Sequence, residues 1–115
     1  ELAVLGQRER VGYFVLSVRK LGRPFGPIAS PVTAHLDSIA VMPRWTRRGV
    51  GSLLLQRAEE RARAAGSVVL TLSTAVSNHA AQSLFELNGF MRTLRSPAAY
   101  ANGEDAFEMF KPLLA

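Results

Sequence analysis

Two glycines separated by one residue lie between an apolar, strand-like segment and a helical pattern. The apolar segment ends at Val41, and Gly49 and Gly51 follow it. Glycine has no side chain, so backbone N–H groups can close around an oxyanion there, and the first helical turn adds unpaired donors and the positive end of the helix dipole. Arg47 and Arg48 add positive charge beside the turn. The segment therefore predicts a site for phosphate groups.

Two familiar phosphate-binding motifs do not fit this turn. The dinucleotide-binding fingerprint needs a third glycine three residues after Gly51, where the chain has Leu54. The Walker loop needs Lys and then Ser or Thr after its last glycine, whereas Ser52 and Leu53 follow Gly51. The sequence therefore predicts a phosphate turn of a different kind.

The turn resembles the acyl-CoA-binding motif of the GNAT superfamily of N-acetyltransferases. That motif is usually Arg/Gln-x-x-Gly-x-Gly/Ala after a strand that ends in Val-x-Pro, and residues 41–51 follow it except at Thr46, which replaces the usual Arg or Gln. The resemblance implies that acetyl-CoA binds here by its pyrophosphate. The residues that it assigns to the cofactor at this turn are Thr46, Arg47, Arg48, Gly49, Val50, Gly51 and Ser52.

A second segment resembles the same family. Residues 78–90 have the sequence NHAAQSLFELNGF, and the family pattern is Asn-x-x-Ala-x-x-Leu-Tyr-x-x-x-Gly-Phe. The family's tyrosine, which often protonates the departing sulfur, is Phe85 here. The resemblance assigns Asn78 to the cofactor as a polar contact, and the residue type also suits a helix N-cap. Two motifs in the correct order identify the chain as a member of this superfamily.

Composition limits the function further. A chain of 115 residues with 48% hydrophobic residues and a mean hydropathy of +0.10 is typical of one soluble domain, here residues 1–115. The absence of cysteine excludes disulfides, thiolate metal sites and a cysteine nucleophile. His35 and His79 lack the spacing of metal ligands, so no metal is expected. Neither a membrane span nor a signal peptide is visible, which favours a cytoplasmic protein.

The net charge of +5 favours an anionic partner. Between positions 57 and 63 arginines alternate with glutamates, which is typical of a solvated helix face rather than a nucleic-acid stripe. A second group, Arg44, Arg47 and Arg48, lies at the glycine turn, where coenzyme A would bring phosphates. We therefore expect neither a nucleic-acid nor a membrane partner. A basic nucleic-acid-binding module is the alternative from a different functional class.

Apolar periodicity predicts alternating strands and helices. The predicted strands are Leu2 to Leu5, Val11 to Val18, His35 to Val41, Val68 to Leu72, Phe90 to Leu94 and Ala106 to Leu113. The predicted helices run from Val50 to Ala65, closed by Gly66, and from a cap at Ser77 or Asn78 to Gly89. The fold class is α/β, with a mixed sheet flanked by helices. This order matches the later part of the GNAT fold, whose N-terminal strand and two helices are lacking or shortened here.

The resemblance also implies where the thioester lies. In the family, the strand before the glycine turn and the strand after the first helix splay apart, and the pantetheine arm enters the gap. These strands correspond here to Ser38 to Val41 and Val68 to Ser73. Main-chain groups of Ile39, Ala40 and Val41 would then pair with the pantetheine amides and stabilise the thioester oxygen.

An acceptor amine with a pKa of about 10 is mostly protonated at neutral pH, so acetyl transfer needs a route for that proton before or during nucleophilic attack. His35 and Asp37 are candidate bases, because residues two apart on a strand share a face while Leu36 points to the core. His35 could equally be structural. Tyr100 and Glu108 on the terminal hairpin are alternatives.

The sequence thus predicts an N-acetyltransferase that works by direct transfer from acetyl-CoA in a ternary complex. A noncatalytic acyl-CoA sensor is the alternative within the fold, favoured by Thr46 and Phe85. The amine stays open between a small amine, a drug, a protein N-terminus and a lysine. The resemblance also implies a homodimer, with the exposed terminal strands as its contact.

Overall fold

A computed structural model describes residues 2–5, 9–24, 26–28, 30–46 and 49–114. In chain order the strands are β1 (Leu2–Leu5), β2 (Glu9–Lys20), β3 (Val32–Val41), β4 (Ser67–Ala75), β5 (Met91–Ser96) and β6 (Ala106–Pro112). The helices are α1 (Val50–Ala64), between β3 and β4, and α2 (His79–Leu87), between β4 and β5. The strands form one six-stranded sheet in the order β1-β2-β3-β4-β6-β5. The predicted mixed α/β architecture is confirmed.

Several strands are longer than the sequence predicts. β3 begins at Val32 instead of His35, and β4 ends at Ala75 instead of Leu72. β4 continues past Leu72 because buried and outward-facing residues alternate along it. Thr74 is polar, but it lies at one of the buried positions, so the alternation persists to the end of the strand. β2 is likewise extended at both ends, β5 is displaced by one or two residues, and β6 ends one residue early. A run of apolar residues underestimates the length of such a strand, because the residues on its outer face need not be apolar.

The helix ends agree closely with the prediction. α1 begins at Val50 and ends at Ala64, and Gly66 follows with a φ of 82°. This left-handed conformation is the one that glycine adopts without strain after a helix C-terminus. Asn78, rather than Ser77, is the N-cap of α2. Within the described ranges, neither helix has the length and apolar character needed to cross a bilayer.

The hydrophobic core lies between the two helices and one face of the sheet. Phe14, Leu36 and Leu72 of the sheet belong to the same buried cluster as Leu54 of α1 and Phe85 of α2. The opposite face carries polar side chains on its central strands, and no helix among the described residues covers it. The sheet therefore separates an apolar layer from an accessible polar surface.

β3 leaves β4 halfway along its length. The β2–β3 pairing shifts between Val15↔Ser38 and Leu16↔Leu36, so that Asp37 is an additional residue in β3. Such a bulge bends the strand that contains it. The parallel β3–β4 register ends at His35↔Thr71, while β3 stays paired to β2 as far as Val41 and β4 to β6 as far as Ala75. The predicted separation of these two strands is confirmed.

Gly12 permits the close packing of α1 on the strands next to this gap. A Cβ at Gly12 would lie 2.5 Å from the Ala40 carbonyl oxygen and 2.9 Å from Leu54 Cδ1. The Ala40 carbonyl belongs to the neighbouring strand, so it cannot move without disturbing β3. A side chain at this position must therefore displace the backbone.

We expect Gly12→Ala to destabilise the fold by about 1–3 kcal/mol, the usual range for overpacking a core. Thermal unfolding measured by circular dichroism would show a lower Tm. Gly22→Ala is the matched control, because no heavy atom lies within 4 Å of a Cβ at that position. Equal Tm values for the two variants would contradict this explanation of Gly12.

Candidate active site

A cleft of about 310 Å³ lies where β3 and β4 separate. Its walls are the ends of both strands, the start of α2 and the loop before β6. The lining residues are Leu36, Asp37, Ser38, Ile39, Leu72, Ser73, Thr74, Ala75, Asn78, Ala81, Phe85 and Tyr100. Because β3 no longer pairs with β4 here, the main chain from residue 36 to residue 41 presents an open edge to the cleft. An extended ligand with amide groups can bind to such an edge as an additional strand.

A second cleft, of about 360 Å³, lies at the N-terminus of α1. It is lined by Val41, Thr46, Gly49, Gly51, Ser52, Ala80, Ala81 and Leu84. Ala81 lines both clefts, so they adjoin. Gly49 is the N-cap residue of α1 in the left-handed conformation, and the first turn contains no acidic residue. The N–H groups of this turn and the helix dipole favour an anion at this end.

Gly51 has a packing role that the sequence does not predict. A Cβ at Gly51 would lie 2.9 Å from Leu84 Cδ2, on the neighbouring helix α2. The close approach of α1 to α2 is therefore a structural reason for glycine at this position, and its predicted contact with a phosphate stays a prediction. The position still lines the cleft, whose wall depends on this helix contact.

Asn88, which the sequence does not mark as part of the site, holds Ser52 in place. Asn88 Nδ2 donates to Ser52 Oγ at 3.1 Å and to the Leu84 carbonyl oxygen at 2.8 Å. The Ser52 hydroxyl accepts this bond, and its own proton donates to none of the residues that the structure describes. Asn88 directly precedes the helix-closing Gly89, and nothing in the local pattern pointed across to α1.

The resemblance also assigns Thr46, Arg47, Arg48 and Val50 to the cofactor at the glycine turn. Thr46 lines the cleft, but its hydroxyl donates to the Pro43 carbonyl oxygen at 3.0 Å, so it offers a phosphate no proton. Arg47 and Arg48 lie outside the described residues. Val50 packs against the hydrophobic core. The backbone and the helix dipole are thus the anion-binding features that the structure describes.

β3 presents its edge to the cleft along Ile39, Ala40 and Val41. These residues pair with Phe14, Tyr13 and Gly12 of β2 on their other side. The side chains of Ile39 and Val41 pack against the core. Side-chain packing and main-chain recognition are therefore compatible on this strand.

Three residues of the second motif line the gap, namely Asn78, Ala81 and Phe85. Asn78 Oδ1 accepts from the Ala81 N–H at 3.1 Å, which makes Asn78 a helix cap and leaves its amide N–H groups to donate. Phe85 is 4% exposed and packs edge to face on Phe90, with ring centroids 6.0 Å apart. Phe85 is thus a core residue that also forms part of the cleft floor.

The open face of the sheet carries a third cleft, of about 340 Å³, which contains His35 and Asp37. Asp37 also lines the gap between β3 and β4, so this cleft adjoins it. Leu36 is buried between them, which confirms that the two polar side chains share a face. The Ser17 hydroxyl donates to the Asp37 carboxylate.

The Nδ1 atom of His35 is in contact with β4. It lies 2.7 Å from Thr71 Oγ1, and that hydroxyl lies 3.4 Å from the Ala34 carbonyl oxygen. Either the ring N–H or the hydroxyl donates in the shorter contact, according to the tautomer. In the tautomer with its proton on Nδ1, the lone pair lies on Nε2, which can then accept a proton.

Tyr100 and Glu108 lie on the β6 side of the gap. Burial raises the pKa of Tyr100, and the negative charges of Glu108 and Glu104 raise it further. Tyr100 therefore stays a phenol and can donate a proton. Glu108 accepts from the Ser73 hydroxyl and from Ser96 Oγ, the latter at 2.9 Å.

Comparison with known proteins decides the family. The model of the acetyltransferase (GNAT) family matches residues 4–90. The chain belongs to the acetyltransferase (GNAT) family. The match spans the open edge of β3, the glycine turn and the whole second motif, and it ends before Tyr100, which lines the cleft between β3 and β4.

Several relatives of this GNAT chain have known names. The chain is 39% identical over 84 residues to the [ribosomal protein bS18]-alanine N-acetyltransferase of Salmonella typhimurium, covering 70% of this chain and 56% of that protein. The crystal structure of Chaetomium thermophilum Naa20 with a bisubstrate analogue matches with a TM-score of 0.81 at 26% identity, covering 97% of this chain and 64% of that one. The crystal structure of nourseothricin acetyltransferase matches with a TM-score of 0.83 at 26% identity, covering 98% of this chain and 64% of that one.

The GNAT chain spans about half the length of the curated relatives that it matches, 48% to 56% for two of them. In the part of the chain that the structure describes, no three His, Asp or Glu side chains are grouped like metal ligands. The expectation of a metal-free site stays a prediction.

We expect Gly49→Ala to lower the affinity for coenzyme A about tenfold or more, because a side chain in a strained left-handed N-cap disturbs the N–H groups that face the anion. Isothermal titration calorimetry with coenzyme A measures this. Gly66→Ala is the matched control, since its φ of 82° is close to the 77° of Gly49 and both positions have open space for a Cβ. Equal affinity in the two variants would exclude this turn as the phosphate site.

Proposed function

We propose that this chain is an acetyl-CoA-dependent N-acetyltransferase, which transfers the acetyl group to a primary amine by direct attack in a ternary complex. The observation that carries the proposal is the row of three adjoining clefts through the split sheet. One end is an anion-binding helix N-terminus, the middle is an open strand edge, and the other end holds candidate proton acceptors. The family match and the relatives support it.

The proposal places the pyrophosphate at the first turn of α1 and the pantetheine arm along the open edge of β3. The amides of the arm would pair with main-chain groups from Ile39 to Val41. A main-chain N–H of the same edge would stabilise the thioester oxygen as negative charge develops on it. At this side of the clefts, the amide N–H groups of Asn78 and the hydroxyl proton of Ser52 have no acceptor among the residues that the structure describes.

The acceptor approaches from the open face, where Asp37 and His35 lie. The amine nitrogen attacks the carbonyl carbon, a C–N bond forms, and the C–S bond breaks with release of the thiolate of coenzyme A. The proton of the amine passes to Asp37 or to Nε2 of His35, and Tyr100 or water protonates the thiolate. Phe85 lacks the family's hydroxyl, but a thiol with a pKa of about 8.5 leaves as a thiolate at modest cost.

For the acceptor we propose the α-amine of a polypeptide first. Curated relatives at 32% and 39% identity are an N-alpha-acetyltransferase of Saccharolobus solfataricus and the bS18-alanine enzyme of Salmonella. The likeness to nourseothricin acetyltransferase keeps a small-molecule amine as the second acceptor class. The cytoplasmic location and the homodimer stay predictions, the latter supported by the exposed Met91 and Leu94 on the edge strand β5.

An amine panel with acetyl-CoA tests the function directly. The panel contains short peptide amides with free N-termini, an N-blocked lysine peptide, a polyamine and an aminoglycoside, and the release of free thiol is followed. We expect turnover with a peptide amide. Binding of acetyl-CoA in calorimetry without turnover of any amine would replace the enzyme with the alternative, a noncatalytic acyl-CoA sensor.

We expect His35→Gln or Asp37→Asn to lower kcat about 10²-fold or more while the affinity for coenzyme A stays unchanged, as for loss of a general base. The wild-type rate should fall as pH falls, because a protonated base cannot accept the amine proton. The variant that removes the base should lose this acid limb. His79→Gln, an exposed histidine on α2, is the control. Wild-type rates and pH profiles in both variants would place the base elsewhere.

A further inference from the structure

Ser73 lies on the opposite side of the gap from Asp37. It is an exposed residue near the end of β4, it lines the cleft, and it lies beyond the last β3–β4 pair. Its partner in register on β6 is Glu108. The two side chains are hydrogen-bonded to each other on the open face of the sheet.

The direction of this hydrogen bond decides what Ser73 offers to a ligand. A serine hydroxyl has one proton and two acceptor lone pairs. A carboxylate can only accept, so the Ser73 proton is used on Glu108. Ser73 Oγ therefore faces the cleft as an acceptor, which suits the N–H group of an amine.

Glu108 is itself held firmly. One of its oxygens accepts from Ser73 and the other from Ser96. The arginines of the neighbouring strand β5 pair with other carboxylates, Arg92 with Glu86 and Arg95 with Asp105. The negative charge of Glu108 thus acts on Ser73 and on Tyr100 at the cleft.

We propose that Ser73 binds the acceptor amine and that Glu108 is the positioning residue that orients the Ser73 hydroxyl. The inference rests on the proposed acetyl transfer and adds the residues that hold its acceptor. An N–H of the amine donates to Ser73 Oγ from the β4 side, while the group that takes up the amine proton lies on the β3 side.

The geometry gives this contact more strength as the reaction proceeds. When the nitrogen bonds to the carbonyl carbon, it becomes positively charged until its proton leaves to Asp37 or His35. A hydrogen bond from a charged donor is stronger than one from a neutral donor. Ser73, polarised by Glu108, therefore stabilises the nitrogen most when the C–N bond is forming and the C–S bond is breaking.

The test is a double-mutant cycle of Ser73→Ala, Glu108→Gln and the combined variant, with the best amine of the panel. Each single change should lower kcat/KM for the amine about tenfold, and the combined variant should be no worse than either one, because the two residues act as a unit. The affinity for coenzyme A should not change. Ser73→Thr, which keeps the hydroxyl on a strand, should retain most of the activity.

The control cycle is Ser83→Ala with Glu86→Gln, on exposed positions of α2. We expect wild-type kinetics there. Additive losses in the Ser73 cycle, unchanged kcat/KM in Ser73→Ala, or equal losses in Ser73→Thr and Ser73→Ala would each overturn the inference.

Calorimetric binding of alanyl-alanine amide to the CoA-loaded protein separates this inference from the proposed function. Binding that weakens about tenfold in Ser73→Ala supports the acceptor site even if no acetyl transfer occurs, which would contradict only the enzyme. Acetyl transfer that is insensitive to Ser73→Ala contradicts only the acceptor site. A wild-type protein that neither binds nor acetylates an amine contradicts both.

Discussion

The end of the pairing between β3 and β4 is the constraint on which the rest of the site depends. Parallel strands normally satisfy each other's main-chain groups along their whole length. Here Asp37 is an additional, bulged residue of β3 in its pairing with β2, and the pairing of β3 with β4 ends at His35 and Thr71. The strand edge beyond that point must be satisfied by something other than the sheet.

The same separation divides the electrostatics of the molecule. Along the gap the first turn of α1 directs unpaired N–H groups at one cleft, whereas the open face of the sheet carries Asp37 and Glu108. A phosphate is favoured at the first place and an amine at the second. In the proposed complex, the sheet layer between them would keep the two kinds of ligand in separate clefts, which adjoin through Ala81 and Asp37.

Much of the fold was predictable because its signals are local. Two or three neighbouring residues predict a glycine turn before α1, a cap of α2 at Ser77 or Asn78, and Gly66 after α1. The structure has Gly49 as the N-cap of α1, Asn78 as the N-cap of α2, and Gly66 in the left-handed conformation. The strand ends were less accurate, since polar residues on an accessible face interrupt the apolar runs. Three roles were missed: Asn88 on Ser52, Leu84 against Gly51, and Ser73 on Glu108.

Each of these missed contacts joins two elements that are distant in the chain. The sequence by itself determined which residues can turn, cap, or share a strand face, because these properties depend on backbone conformation and side-chain periodicity. It also carried the two motifs that identify the family. Only the tertiary structure decided which hydroxyl meets which carboxylate and why Gly51 must be small, because helix packing and sheet register set those distances.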